Sequence, residues 1–147
     1  MPFSKLAHAA ALLAIVSSPL AAQTPKPTPL SAADSTRFME LGRTYVRWML
    51  QGKADSLVAV MDAEYLESTG GPVGVSDRLG KIAERGGKEV KVLIEKLTRR
   101  NGQPQFWHEA EFSAFTDEPV VFRIVFDEKG KVVRIGLSPK SQAEFDQ

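Results

Sequence analysis

Cysteine is absent from this 147-residue chain. That excludes disulfides, thiolate metal sites, a cysteine nucleophile and a lipid-modified N-terminal cysteine. Histidine is almost absent, His8 and His108 being the only two. So few argue against a zinc centre, which normally takes three or four protein ligands, and neither a metal nor another cofactor is expected. Neither sign of charge dominates, with 19 Lys and Arg against 18 Asp and Glu. Lys5 is the one charged side chain before Gln23, so the remainder is formally neutral. A neutral domain lacks the basic footprint that nucleic acid or an anionic membrane favours, and neither is expected as a partner. Beyond residue 22 the serine-nucleophile motifs G-x-S-x-G and S-x-x-K do not occur.

The N-terminus carries an address. Leu6 to Val16 is an apolar run rich in Ala and Leu, with Lys5 before it and Ser17-Ser18-Pro19 and the small residues Ala21-Ala22 after it. It falls short of the ~20 apolar residues that a bilayer span needs and has the three regions of a secretory signal peptide. Residues 1–22 are therefore expected to be a cleavable signal peptide, and the protein to be periplasmic or secreted. Gln23–Pro29 alternates proline, which favours an extended spacer, so 23–30 is read as a linker. Residues 31–140 are read as one α+β domain and 141–147 as a tail.

Ser31 and Asp34 have capping-box spacing. From there Phe38, Leu41, Tyr45, Trp48 and Met49 recur at helical spacing on one face, with Gly42 among them, and Gly52 ends the helix. Leu57, Val60 and Met61 mark a second helix. Thr69–Gly74 is read as a flexible loop, because no Gly-Lys-Ser/Thr follows its glycines. Ser76 can cap a third helix with Leu79 and Ile82 inward, closed by Gly86-Gly87.

The apolar period then changes to two. Glu89–Arg99, Gln105–Phe115, Val120–Asp127 and Lys131–Leu137 are expected as strands. Asn101-Gly102 is a type I′ hairpin signal, and the second and third turns are placed at Thr116–Pro119 and Asp127–Gly130. The sum is three N-terminal helices on one face of a curved, four-stranded antiparallel meander. The first turn pairs Leu97 with Phe106, Glu95 with His108 and Leu93 with Ala110. The apolar pattern pairs Phe112 with Phe122, Ala110 with Ile124 and His108 with Phe126, then Ile124 with Val133 and Phe122 with Ile135.

One face then collects Leu93, Leu97, Phe106, Ala110, Phe112, Val120, Phe122, Ile124, Val133, Ile135 and Leu137. Its polar members, His108 and Glu95, are the candidates for a general base and the carboxylate that orients it. Tyr45, Trp48, Phe106, Phe112 and Phe122 are the candidate lining of a ligand pocket, or else plain core. The other face carries Trp107, Glu109, Glu111, Arg123 and Arg134, with Glu111 opposite Arg123 as a surface ion pair. Val90, Val92 and Ile94 fall beside Trp107 there, which marks an interface such as a homodimer, unless a bulge shifts the strand and takes Glu95 off the inner face.

Trp48–Asp55 after an amphipathic helix, the closing hairpin Val121–Val132 and the exit Leu137-Ser138-Pro139 resemble the nuclear transport factor two-like superfamily over residues 32–139. That superfamily includes the polyketide cyclase, ketosteroid isomerase and scytalone dehydratase branches. A secreted branch, found alone or attached to serine hydrolases, is the nearer likeness. The resemblance implies a sheet curved round a long helix into a cone with an apolar cavity, and dimerisation through the sheet. Enzymatic members place Asp, His or Tyr inside the cone, but the isomerase pattern of a Tyr with two inward acids is not recognisable here. Three functions stand: an exported non-enzymatic domain binding a small apolar ligand or a protein, a small lyase or isomerase using His108 with Glu95, and an accessory domain of a secreted hydrolase.

Overall fold

A computed structural model describes residues 29–145, so the signal-peptide reading of 1–22 and most of the linker lie outside the described residues. The first helix, α1, runs Ala32–Leu50. Ser31 caps it: its hydroxyl accepts from the Asp34 N–H at 3.0 Å and donates to the Asp34 carboxylate at 2.7 Å, as the spacing predicts. The expected second helix is two, α2 (Ala54–Val60) and α3 (Ala63–Ser68). Met61 breaks it by turning extended and bridging Val132, and Asp62 then caps α3. The expected loop at Thr69–Gly74 is largely helix, since α4 spans Gly71–Gly86. Pro72 sits in the first turn of α4, where a missing N–H costs nothing, and Gly70 turns into it at φ 91°.

The strands are β1 (Glu89–Arg100), β2 (Gln103–Phe112), β3 (Phe115–Phe126) and β4 (Val132–Pro139), in that order in one open antiparallel sheet. Asn101 and Gly102 both take positive φ, 51° and 81°, and pair Arg100 with Gln103 as expected. The second turn is not at Thr116–Pro119. The chain reverses at Ser113-Ala114, between the paired Phe112 and Phe115, because Ser113 is held by the strand's approach: its N–H donates to the Lys88 carbonyl and its hydroxyl accepts from the Lys88 N–H. Thr116–Pro119 instead form an irregularity of β3 opposite Glu111, where Pro119 needs no ladder partner.

Register is therefore corrected on two ladders. Ala110 pairs with Val120, His108 with Phe122 and Phe106 with Ile124, while Ile124 pairs with Ile135 and Phe122 with Leu137. Each of these shifts moves a partner by an even number of positions, so those faces survive. Two shifts on these ladders are odd: Phe112 pairs with Phe115 and not Phe122, across the irregularity at Glu111, and a bulge beside Phe126 buries Val132 completely and leaves Val133 half-buried. Leu137, expected inward, is 40% exposed.

The helix α1 lies across the inner face of β1, β2 and β3. Gly42 makes this possible, because a methyl group there would overlap the Phe106 ring. Helix α4 packs on α1, α2 and α3. The outer face is partly covered as well. Residues read as the domain's end and tail form α5 (Lys140–Phe145), packed on β3 and β4. Ala143 of α5 closes a second small core with Trp107 and Val121. Two more placements on that face change. Trp107, taken as an exposed contact residue, is 2% exposed, with the Lys96 ammonium 4.8 Å from its ring centre. Glu111 does not face Arg123: it pairs with Lys91, and Arg123 lies opposite Trp107.

Candidate functional site

Two places on the inner side invite a functional reading. The first is His108. Glu95 faces it as the hairpin arithmetic requires, with Nδ1 and Glu95 Oε1 3.1 Å apart. A bulge does occur in β1, but at Leu93, before Glu95, so Val92 takes the place opposite Ala110 and Glu95 stays inward. A partner that the sequence reading lacked occupies the other nitrogen: Glu89 Oε2 lies 2.8 Å from Nε2. Arg43 of α1 completes the chain by donating from Nε to Glu95 Oε2 at 2.7 Å. Glu89 was hidden because two irregularities at the start of β1 bring it opposite Phe112. Arg43 lay on what periodicity marks as the solvent side of α1, and no spacing pointed to it.

The imidazole is 4% exposed and packs against the rings of Phe106 and Phe122. Each ring nitrogen lies against a carboxylate oxygen, so both are engaged within the fold and neither is turned to a substrate. Burial alone would push the Glu95 carboxyl up, but hydrogen bonds and charge from Arg43 and His108 hold it below its usual value of 4.5. A depressed folded value adds stability above 4.5 and loses it as pH falls through the folded value. Thermal unfolding followed against pH should therefore show a loss of stability on the acid side of that point, and Glu95→Gln should reduce it.

The second place is a cleft between α4 and the edge strand β4. Its main chamber, about 490 Å³, is lined by Met49, Leu57, Leu79, Ile82, Ile135 and Leu137 among others, and reaches Arg123 and Arg134 across the edge of β4. A smaller, almost wholly apolar chamber of about 260 Å³ shares Ile82 and Leu137 and ends on Phe112, Phe115, Val120 and Phe122. No Asp, Glu or His lines either chamber. At the other end a shallow polar recess holds Ser68, Thr69, Arg78 and Arg134.

The five pocket candidates thus divide. Phe112 and Phe122 line the apolar chamber. Phe106 is fully buried under Gly42, and Tyr45 is 4% exposed, stacked on Trp48 at 5.3 Å and close to Phe126. These three fill the space beside α1. Burial pushes the Tyr45 phenol up, with the charge of Arg37 opposing it. Leu79 and Ile82 were legible as inward residues of their helix, but nothing in the sequence said that α4 stands off from β4.

The interface candidates divide too. Val90, Val92 and Ile94 are 65%, 43% and 40% exposed. The bulges of β1, however, set Val92 opposite Ala110 of the inner face and Ile94 opposite Glu109 of the outer one. Among the described residues no group of three or more His, Asp or Glu is arranged to hold a metal ion, and no helix is long and apolar enough to cross a membrane.

Fold and site define a class: an α+β domain of helices on an open four-stranded antiparallel sheet, consistent with a cone, with an apolar cleft under its last inner-face helix. No family model, curated protein or solved structure matches the chain.

Proposed function

We propose that this chain is an exported, non-enzymatic domain of the nuclear transport factor two-like type, binding a small apolar ligand in the cleft between α4 and β4. The observation that carries the reading is the lining of that cleft, in which aliphatic and aromatic side chains are joined by basic and hydroxyl groups but by no carboxylate or imidazole. Ligand pockets run to ~300–1,000 Å³ and are mostly apolar, which the main chamber of about 490 Å³ fits. The long helix laid in the curve of the sheet supports the cone-fold reading, and the signal-like run at Leu6–Val16 supports export.

The lyase or isomerase reading is the weaker one, because both nitrogens of His108 are engaged by Glu89 and Glu95 and the residue lines neither chamber. A homodimer through the sheet is likewise disfavoured, with Trp107 covered and Val92 and Ile94 on opposite faces.

Fluorescence titration with N-phenylnaphthylamine, an uncharged apolar probe, tests the proposal. The folded chain should bind it, and Ile82→Asn should weaken binding about tenfold, or ~1.4 kcal/mol. His108→Gln should leave the affinity unchanged wherever the variant remains folded. Absence of binding by the folded chain, or an affinity that follows His108 rather than Ile82, would overturn it.

A further inference from the structure

We propose that the ligand is a single-chain amphiphile with an anionic head, of the kind a medium-chain fatty acid provides. This rests on the cleft being the binding site and adds the chemistry of the ligand's polar end. The three chambers lie in a row. The apolar one at one end is bounded by Phe112, Val120 and Phe122, and the main one shares Ile82 and Leu137 with it. The recess at the other end is polar and carries Arg78 and Arg134 together with Ser68 and Thr69.

The charge along this path has one sign. Arg78, Lys81 and Arg85 recur at spacings of three and four on α4, which is one face of a helix. Arg78 and Lys81 line the main chamber, and Lys81 and Arg85 line the apolar one. Arg134 of β4 lines the polar recess together with Arg78. The chain holds 18 acids to 19 bases, yet none of the acids lines these chambers. Among the described residues Arg78, Lys81, Arg85 and Arg134 make no ion pair. These exposed, unneutralised cations along one cleft repel one another and give it a positive potential. A carboxylate relieves that repulsion, and guanidinium groups hold it through charge-assisted, forked hydrogen bonds. An uncharged apolar ligand would gain nothing from the cations, and an inorganic anion nothing from the apolar chambers. A carboxylate at Arg78 and Arg134 with its chain lying past Ile82 and Leu137 toward Phe122 uses both.

Calorimetric titration of the full chain with decanoate, decanol and acetate separates the terms, run below the aggregation range of the ligands and above the carboxylate's titration range. Decanoate should bind at least tenfold more tightly than decanol, and acetate should not bind measurably. Exchanging both exposed arginines, as Arg78→Gln with Arg134→Gln, should remove the advantage of decanoate and leave decanol unchanged, with unfolding temperature confirming the fold. Raised salt should weaken decanoate alone. Equal affinity for decanoate and decanol would overturn the anionic-head inference and leave the apolar site standing, as would an advantage that survives the double exchange. Failure of both to bind would overturn the site itself.

Discussion

Replacing His108 with leucine is expected to destabilise the folded domain by about 3 kcal/mol, because removing one member of a buried charge network strands the others. The side chain is 4% exposed and its two nitrogens reach Glu89 at 2.8 Å and Glu95 at 3.1 Å. Leucine supplies apolar contact with Phe106 and Phe122, but it leaves two carboxyl groups without the imidazole that hydrogen-bonds both. Arg43 still holds one oxygen of Glu95, and Glu89 keeps some access to water, which places the loss at the lower end of the range for breaking a buried pair. Against a total stability of ~5–15 kcal/mol that is a large fraction. The diagnostic is the combined variant: with Glu89→Gln and Glu95→Gln also present, the stranded carboxyl groups are gone and most of the loss should return. Urea unfolding of the single and triple variants measures both. A neutral His108→Leu would mean that the acids do not depend on the imidazole.

The same substitution made at two helical glycines should change stability in opposite directions. In an exposed helix interior, alanine is better than glycine by ~1 kcal/mol, because glycine gives up more backbone entropy. Gly80 of α4 is exposed and a Cβ there meets nothing, so Gly80→Ala should raise stability by up to that amount, ~1 kcal/mol. Gly42 of α1 has the same propensity term but sits on the Phe106 ring, which is itself fully buried. The ring cannot move into solvent, so α1 must lift from β2, and overpacking of this kind costs ~1–3 kcal/mol. The steric term exceeds the propensity gain, and Gly42→Ala should destabilise by about 2 kcal/mol net. Equilibrium unfolding of the two variants side by side gives the comparison, and a stabilising Gly42→Ala would show that the helix does not depend on this close approach.

The faces of the sheet were legible in the sequence where its registers were not. Alternation of apolar side chains survives any even slip, so Phe106, Ala110, Phe122 and Ile124 were placed inward although the turn assumed at Thr116–Pro119 was wrong. The first hairpin was legible from its turn as far as Glu95 and His108, because Asn101-Gly102 specifies its own geometry, but not beyond, where Val92 and not Leu93 meets Ala110. What stayed hidden depends on irregularities with no local signature. The bulge at Leu93 and the shift before Lys91 bring in Glu89 and separate Val92 from Ile94. The bulge beside Phe126 exchanges Val133 for Val132 in the core. Proline and glycine misled at Thr69–Gly74, since Pro72 at a helix start reads locally like a turn. The cleft itself is a gap between α4 and β4. It depends on how far two elements stand apart, which residue spacing within either one does not encode.

Methyl chemical shifts of the isotope-labelled chain, followed as decanol is added, test the central claim most directly. If the cleft between α4 and β4 is the binding site, Leu79, Ile82, Ile135 and Leu137 shift while Leu97, on the same inner face but at the opposite edge of the sheet on β1, stays in place. Shifts gathered around Leu97 and His108 with those four methyl groups unmoved would contradict it.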